Sequence, residues 1–250
     1  MAAEHAPRSH AAVNNAISEA QWSTQREDGP KEACGVFGVY GPGRDVARIT
    51  FYGLYALQHR GQESAGIATV DGDELHVRTS MGLVAQVFDE EDIKRLPGQL
   101  AIGHTRYSTT GSSRLSNAQP IVVDGPHGKL ALGHNGNIVN AAELRTALEA
   151  EGEQFSSSTD SEVIARLITN APARTWEDRL AWALPRVQGA YSLVLLTPRM
   201  LIAARDPMGN RPLCLGRLGD AWVVASESCA LDHIGAEFLR EVEPGEALLI

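Results

Sequence analysis

Apolar and polar positions alternate in two separate blocks of the chain, and both blocks predict β-strands. A leader of residues 1–33 shows no sustained period, and we expect it to be mobile. The first block then begins at residue 34 and the second at residue 190. Short apolar runs separated by Asp-Gly and Pro-Gly turn signals predict strands at residues 34–40, 65–70, 74–80, 99–105, 130–135, 190–197, 200–205, 212–218 and 221–226.

Helices are predicted after the first strand and between the two blocks. Apolar residues at helical spacing indicate a helix over 46–59. Asn140 with Glu143 and Thr159 with Glu162 are capping-box patterns that open helices at 141–150 and 160–168, and a third helix begins at Thr175. Strands grouped in blocks are not the regular alternation of a Rossmann or barrel chain. The pattern predicts an α+β fold of two antiparallel sheets with helices outside them.

Composition and charge exclude several classes of protein. The 250 residues carry a formal net charge of -9, which argues against a general nucleic-acid binder. No apolar run is long enough for a membrane span, and the leader lacks the apolar region of a signal peptide. The three cysteines form neither a disulfide framework nor a CxxC metal site, so we expect a reducing, cytoplasmic setting.

Four polar segments interrupt the predicted strands or open helices, at residues 58–66, 103–111, 133–137 and 158–162. Each segment alone has an ordinary structural interpretation. Asn135-Gly136 is a common tight-turn pair, Asp160 favours a helix N-terminus, and Arg106 fits an exposed surface. Three histidines lack the helical spacing of zinc ligands and are interpreted as structural hydrogen bonders: His59, His104 and His134.

Taken together, the segments resemble the glutaminase domain of the N-terminal-nucleophile (Ntn) amidotransferases over residues 34–250. Within that group they are most similar to glutamine phosphoribosylpyrophosphate amidotransferases. The segment RDPMGNRPL distinguishes them from the glucosamine-6-phosphate synthase branch. The motifs are CGVFG, LQHRGQESAGI, GLVAQVF, IGHTRYSTTGSS, NAQP, LGHNGNIVNA, STDSE and RDPMGNRPL.

The resemblance implies a role for each motif residue in hydrolysing glutamine. Cys34, exposed by removal of residues 1–33, would be the nucleophile, with its own α-amine as base and a thioester as intermediate. The Asn135 side chain and the Gly136 backbone N–H would stabilise the oxyanion. Arg106 would bind the α-carboxylate of glutamine and Asp160 its α-ammonium group. Further residues that would line the glutamine pocket are Arg60, Gly61 and Thr109.

The resemblance also carries expectations about the rest of the protein. It implies a four-layer αββα sandwich and a phosphoribosyltransferase domain beyond residue 250. Ammonia would pass to phosphoribosyl pyrophosphate and give 5-phosphoribosylamine, the first step of purine synthesis. The family implies a homo-oligomer, a tetramer, with Mg²⁺ and in some members a 4Fe–4S cluster. Neither metal nor other cofactor is expected within this segment, where Cys214 and Cys229 are interpreted as packing residues.

Two alternatives remain open at this point. The chain could be the glutaminase domain of a different amidotransferase. It could also be a catalytically silent Ntn-like module that serves in binding or assembly. The joint presence of nucleophile, oxyanion donor and both substrate-binding charges favours an enzyme.

Overall fold

Two antiparallel β-sheets face each other, and a layer of helices covers the outer side of each. A computed structural model describes residues 34–107, 114–126 and 128–250. The strands are β1 Gly35–Tyr40, β2 Ser64–Asp71, β3 Glu74–Met81, β4 Leu100–Arg106, β5 Ile121–Gly125, β6 Gly128–Ile138, β7 Gly189–Thr197, β8 Met200–Arg205, β9 Cys214–Leu218, β10 Ala221–Ala225, β11 Glu237–Glu241 and β12 Ala247–Leu249. This arrangement confirms the predicted α+β sandwich of four layers.

The α-helices lie between these strands in the chain. They are α1 Val46–Ala56, α2 Val84–Val87, α3 Glu90–Lys94, α4 Ala141–Ala150, α5 Asp160–Thr169, α6 Trp176–Ala183 and α7 Ser228–Ile234. Short 3₁₀ turns occupy Gln58–Arg60, Leu115–Asn117 and Leu184–Arg186. Among the residues that the structure describes, no helix is long and apolar enough to span a membrane.

The first sheet has seven strands in the order β11-β9-β10-β1-β4-β2-β3, and the second has five in the order β12-β8-β7-β6-β5. Strand β1 is therefore central, paired antiparallel with β10 on one side and β4 on the other. Its residues alternate between two cores: Phe37 packs beneath α1 and α7, whereas Val36 lies between the sheets. A central strand held on both edges is a rigid support for the residue that precedes it.

Burial explains why these segments form the layers. Helix α1 can approach the first sheet closely because Gly53 has no side chain. A Cβ at this position would come within 2.3 Å of the Phe37 ring. Helix α5 presents Val163, Ile164 and Ile168 to the second sheet. Removing such side chains from water is the main favourable contribution to folding.

The predicted strands and helices are present, but two predicted helix caps differ in detail. Asn140 does not cap α4: its side chain donates to the Arg186 carbonyl and accepts from the Gln188 N–H. Thr159 does cap α5, accepting from the Glu162 N–H at 3.3 Å. The Glu162 carboxylate instead accepts from the N–H groups preceding the cap, so the reciprocal half of that capping box is absent.

Candidate active site

Cys34 immediately precedes the central strand β1, and its thiol lies toward the space between the sheets. Alternation along the strand puts it on the same side as Val36, and the residue is only 9% exposed. The Tyr107 N–H, just beyond β4, donates to Sγ across 3.4 Å. Burial raises the pKa of the Cys34 thiol, while the Tyr107 N–H and the positive charge of Arg106 act in the opposite direction.

The backbone around Cys34 is held by residues from distant parts of the chain. Arg60 Nε donates to the Cys34 carbonyl at 3.1 Å, and the same guanidinium pairs with the Glu227 carboxylate. Ser226 Oγ accepts from the Val36 N–H at 2.9 Å, and the Ser226 N–H donates to the Val36 carbonyl at 2.9 Å. The sequence interpretation missed Ser226 and Glu227, because a serine and a glutamate after a strand carry no distinguishing signal.

Arg106 ends β4 beside the nucleophile and is buried, with only 3% of the residue exposed. Its guanidinium pairs with the Glu63 carboxylate, and its carbonyl accepts from the Glu63 N–H at 3.0 Å. Gly61 lies against the same strand end, where a Cβ would come within 2.7 Å of backbone atoms of Thr105 and Arg106. The alternative of an ordinary surface arginine is therefore wrong, and Gly61 has a structural reason to lack a side chain.

Asn135 lies within β6, with its side chain directed into the layer between the sheets. A Cβ on Gly133, two residues earlier and on the same face, would lie 3.8 Å from the Cβ of His104 in the facing sheet. Asn135 is 0% exposed, and neither polar atom of its side-chain amide has a hydrogen-bond partner among the described residues. Buried amides are normally paired, so this one is available to a ligand.

Gly136 follows within the same strand and has a backbone that only glycine readily adopts. Its φ is +155°, and a Cβ would meet the Ala190 carbonyl oxygen of β7 at 2.0 Å. Residues Asn135 and Gly136 pair in register with Ser192 and Tyr191. The tight-turn interpretation of this Asn-Gly pair is therefore wrong, because the pair lies inside a sheet.

Two buried histidines connect the sheets and helix α5. His104 Nε2 lies 3.0 Å from the His134 carbonyl oxygen, across the space between the sheets, and burial lowers the pKa of His104 to about 3. His134 Nδ1 lies 3.2 Å from Ser161 Oγ, and the His134 N–H donates to Gln119 Oε1 at 2.7 Å. Both are structural hydrogen bonders, as the sequence predicts.

Asp160 is the first residue of α5, and its side chain is 12% exposed. Oδ2 accepts from the Ile138 N–H at 3.1 Å, and Oδ1 lies 3.7 Å from His134 Nδ1. Burial raises the pKa of Asp160, but His134 and the Ile138 N–H outweigh it and leave the pKa below its usual value. The carboxylate thus keeps its charge at neutral pH, and that charge raises the pKa of Cys34.

The structure brings most of the predicted site residues together. A buried thiol is close enough to the cation of Arg106 and the anion of Asp160 for both charges to shift its pKa, and Arg60 touches its backbone. Such a pair of opposite charges suits a zwitterionic amino acid. Thr109 lies outside the described residues, so its predicted role stays a prediction.

The other two cysteines lie outside this arrangement. Cys214 begins β9, is 4% exposed and donates to the Ala225 carbonyl; burial raises the pKa of its thiol to about 12. Cys229 lies in the first turn of α7, beside His59 and Glu227, and these three are the described residues with the geometry to hold a metal ion.

Comparisons with known proteins indicate one family. Residues 104–233 match the family described as "Glutamine amidotransferase domain". The chain is 52% identical over 232 residues to the amidophosphoribosyltransferase of Synechococcus elongatus, covering 90% of this chain and 47% of that relative. It is 47% identical over 223 residues to the amidophosphoribosyltransferase of Bacillus subtilis, covering 89% of this chain and 47% of that relative.

A solved structure is similar over nearly the same region. The glutamine phosphoribosylpyrophosphate amidotransferase of B. subtilis, complexed with ADP and GMP, superposes with a TM-score of 0.81 at 46% identity. The match covers 87% of this chain and 47% of that one. The chain therefore spans about half the length of the curated relatives that it matches.

Proposed function

Because the chain belongs to the glutamine amidotransferase domain family, we propose that it hydrolyses the side-chain amide of glutamine at Cys34 and releases ammonia. The observation that carries this proposal is that a buried thiol at Cys34 and a buried amide at Asn135, unpartnered among the described residues, both lie toward the space between the sheets. Hydrolysis of a carboxamide needs both a nucleophile and a donor for the oxygen that becomes negatively charged.

The reaction begins when Cys34 Sγ attacks the amide carbon of glutamine. The thiol proton passes to the α-amine of Cys34, which is free to accept it once residues 1–33 have been removed. The α-ammonium of Cys34 then gives this proton to the amide nitrogen, and collapse of the tetrahedral intermediate breaks the carbon–nitrogen bond and releases ammonia. Water then attacks the γ-glutamyl thioester, glutamate departs, and Sγ regains its proton.

Stabilisation of the oxyanion falls to Asn135 and Gly136. The Asn135 side-chain amide donates to the developing charge without giving up an existing hydrogen bond, since it has none among the described residues. The Gly136 N–H is the second donor. Its pairing with Tyr191 of β7 holds this part of β6 in place. Preorganised donors of this kind supply a large part of the rate enhancement in acyl transfer.

Recognition of glutamine rests on opposite charges. Arg106 binds the α-carboxylate, and its pairing with Glu63 holds the guanidinium in one orientation. Asp160 binds the α-ammonium group, and its low pKa keeps it ionised at neutral pH. Arg60 acts on the nucleophile itself by holding the Cys34 carbonyl. Roles of Gly61 and Thr109 in lining the pocket stay predictions.

In the whole protein, the ammonia would react with phosphoribosyl pyrophosphate to give 5-phosphoribosylamine, the first step of purine synthesis. Support comes from the two amidophosphoribosyltransferase relatives, of which this chain matches 47%. The acceptor domain, its Mg²⁺, a 4Fe–4S cluster, a homotetramer and a cytoplasmic location stay predictions about that whole protein.

The proposal is tested by following glutamate and ammonia together and by intact mass. We expect equal amounts of both products, a chain that begins at Cys34, and a transient mass increase of one γ-glutamyl group. Cys34→Ser should lose nearly all activity, because an alkoxide forms far less readily than a thiolate near neutral pH. Active protein that still begins at Met1 would contradict the role of the α-amine. An inactive protein with a free Cys34 would support the silent-module alternative.

A further inference from the structure

Three side chains with metal-binding atoms meet beside the anchor of the nucleophile. His59 lies in the 3₁₀ turn after α1, whereas Glu227 and Cys229 lie at the start of α7. His59 Nε2 is 3.0 Å from Glu227 Oε2, and Cys229 Sγ is 3.6 Å from the same oxygen. All three atoms lie within 4.8 Å of one another.

Two of these three separations are close to the edges of a tetrahedral zinc site. Zinc bonds of about 2.0–2.1 Å to nitrogen and oxygen and about 2.3 Å to sulfur place neighbouring ligands about 3.3 Å (N to O) and about 3.6 Å (S to O) apart. The observed distances of 3.0 and 3.6 Å are close to both values. Small rotations of the side chains would bring the three atoms around one ion.

The surroundings orient these ligands as a metal requires. His59 Nδ1 lies 3.0 Å from the Ala56 carbonyl, so Nδ1–H donates there, and Nε2, which contacts Glu227 Oε2, is the nitrogen left to bind an ion. The other carboxylate oxygen of Glu227 is held by Arg60. Histidine and carboxylate ligands of metals usually make such a second hydrogen bond, to a carbonyl or a charged group.

The cluster is also accessible to solvent. The His59 side chain is 56% exposed and that of Glu227 33%, which leaves room for water as a fourth ligand. Burial and the neighbouring carboxylate raise the pKa of the Cys229 thiol. A bound divalent cation would reverse both influences and allow the thiolate to form.

We propose that His59, Glu227 and Cys229 form a binding site for a divalent transition metal of the zinc class, and that an occupied site inhibits the nucleophile. Binding releases the Cys229 proton to solvent and places Glu227 on the metal. Glu227 then holds Arg60 less firmly, and Arg60 in turn holds the Cys34 carbonyl. The inhibitory part of this proposal rests on the proposed glutaminase function, whereas the binding part does not.

Binding is measured in the full chain carrying Cys34→Ala, which removes the thiol of the candidate active site as a competing zinc ligand. Calorimetric titration with Zn²⁺ should give a stoichiometric site that is lost or weakened about 10-fold or more in His59→Ala and in Cys229→Ser. Titration with Co²⁺ should give the absorption of a tetrahedral site and a sulfur-to-cobalt band that Cys229→Ser abolishes. Thermal melting of each variant checks that it is folded.

His76→Ala is the matched control, because His76 is a partly exposed histidine near Glu74 and outside the cluster. It should bind Zn²⁺ like the parent. A Zn²⁺ site that survives His59→Ala and Cys229→Ser, or the absence of stoichiometric binding in a folded parent, would overturn the proposed site.

The inhibitory link is tested separately in protein with Cys34 intact. Cys229→Ser should hydrolyse glutamine at the parental rate in chelator-treated buffer and resist Zn²⁺ that inhibits the parent. Equal inhibition of parent and variant would place the inhibitory ion elsewhere and overturn the link. Since the chelator-treated parent reports the proposed glutaminase activity directly, failure of that activity and failure of the metal site give different results.

Discussion

Two side chains in the candidate site should affect different kinetic constants. Asn135→Ala removes the unpartnered amide and should lower kcat by a factor on the order of 100 or more, with little change in KM. Arg106→Lys keeps the charge but loses the planar fork that grips a carboxylate, so it should mainly raise KM. Steady-state glutamine hydrolysis by each variant measures both constants. The reverse pattern, with Asn135 acting on KM alone, would show that the oxyanion assignment is wrong.

Residue His104 should make the protein sensitive to mild acid. Its pKa falls from 6.5 to about 3 on folding, so between those values the unfolded chain binds a proton that the folded chain does not. Stability is therefore lost as pH falls below 6.5, by up to about 1.4 kcal/mol per pH unit for this one group. Urea unfolding from pH 7 to pH 4 measures the slope.

The control for this prediction is His104→Gln, which retains a donor toward the His134 carbonyl but does not titrate. Its stability should fall less steeply between pH 6.5 and 4, whatever its stability at pH 7. Parallel profiles for parent and variant would show that another group is responsible for the acid sensitivity.

At the scale of elements, the pairing of β6 with β7 depends on Gly136. Gly136→Ala would force a Cβ to within 2.0 Å of the Ala190 carbonyl, so the two strands must separate locally and the oxyanion donors must move. Gly128→Ala is the matched control, since Gly128 starts the same strand at φ +99° with nothing within 4 Å of its Cβ position. Gly128→Ala should lower the free energy of unfolding by about 1 kcal/mol, and Gly136→Ala should lower it by clearly more. The urea midpoints of the two variants measure this difference, and equal losses of stability would contradict the prediction.

The junction of β10 with α7 should matter for catalysis because it holds the start of β1. Ser226→Ala leaves the buried Val36 N–H without its acceptor and should cost about 1–3 kcal/mol of stability. Because Cys34 lies two residues away, kcat should fall more than KM rises. Thr146→Ala, which removes an exposed hydroxyl bond to Ala142 within α4, should change neither activity nor the urea midpoint appreciably. An unchanged kcat in Ser226→Ala would indicate that this junction only stabilises the fold.

For the whole molecule, the groups that the proposed function uses as nucleophile, oxyanion donors and substrate-binding charges lie within the described residues, and the chain matches 47% of the relative's length. We expect this chain alone to hydrolyse glutamine slowly, because loops around glutamine sites often close fully only when a second substrate is bound. It should not form phosphoribosylamine from phosphoribosyl pyrophosphate, even with Mg²⁺ and excess ammonia. Both reactions are assayed side by side on the purified chain. Formation of phosphoribosylamine would show that an acceptor site lies within these residues.

Much of the architecture is determined by local patterns in the sequence. The strand at 34–40 follows from a short apolar run and the helix over 46–59 from apolar residues at helical spacing, since a side chain's face depends only on its position along its own element. Thr159 caps α5 as predicted, because a cap bonds groups three residues apart. The motifs also indicated Cys34, Arg106 and Asp160, which the structure brings together.

Other features were decided only by tertiary structure, because they join residues far apart in the chain. Asn140 looks like a helix cap, but groups 46 and 48 residues away compete for its side chain and bind it instead. Asn135-Gly136 looks like a turn, but pairing with β7 extends it as a strand. Ser226 and Glu227 reach the nucleophile only because β10 pairs with β1. Register and packing between elements set these contacts, and no local period records them.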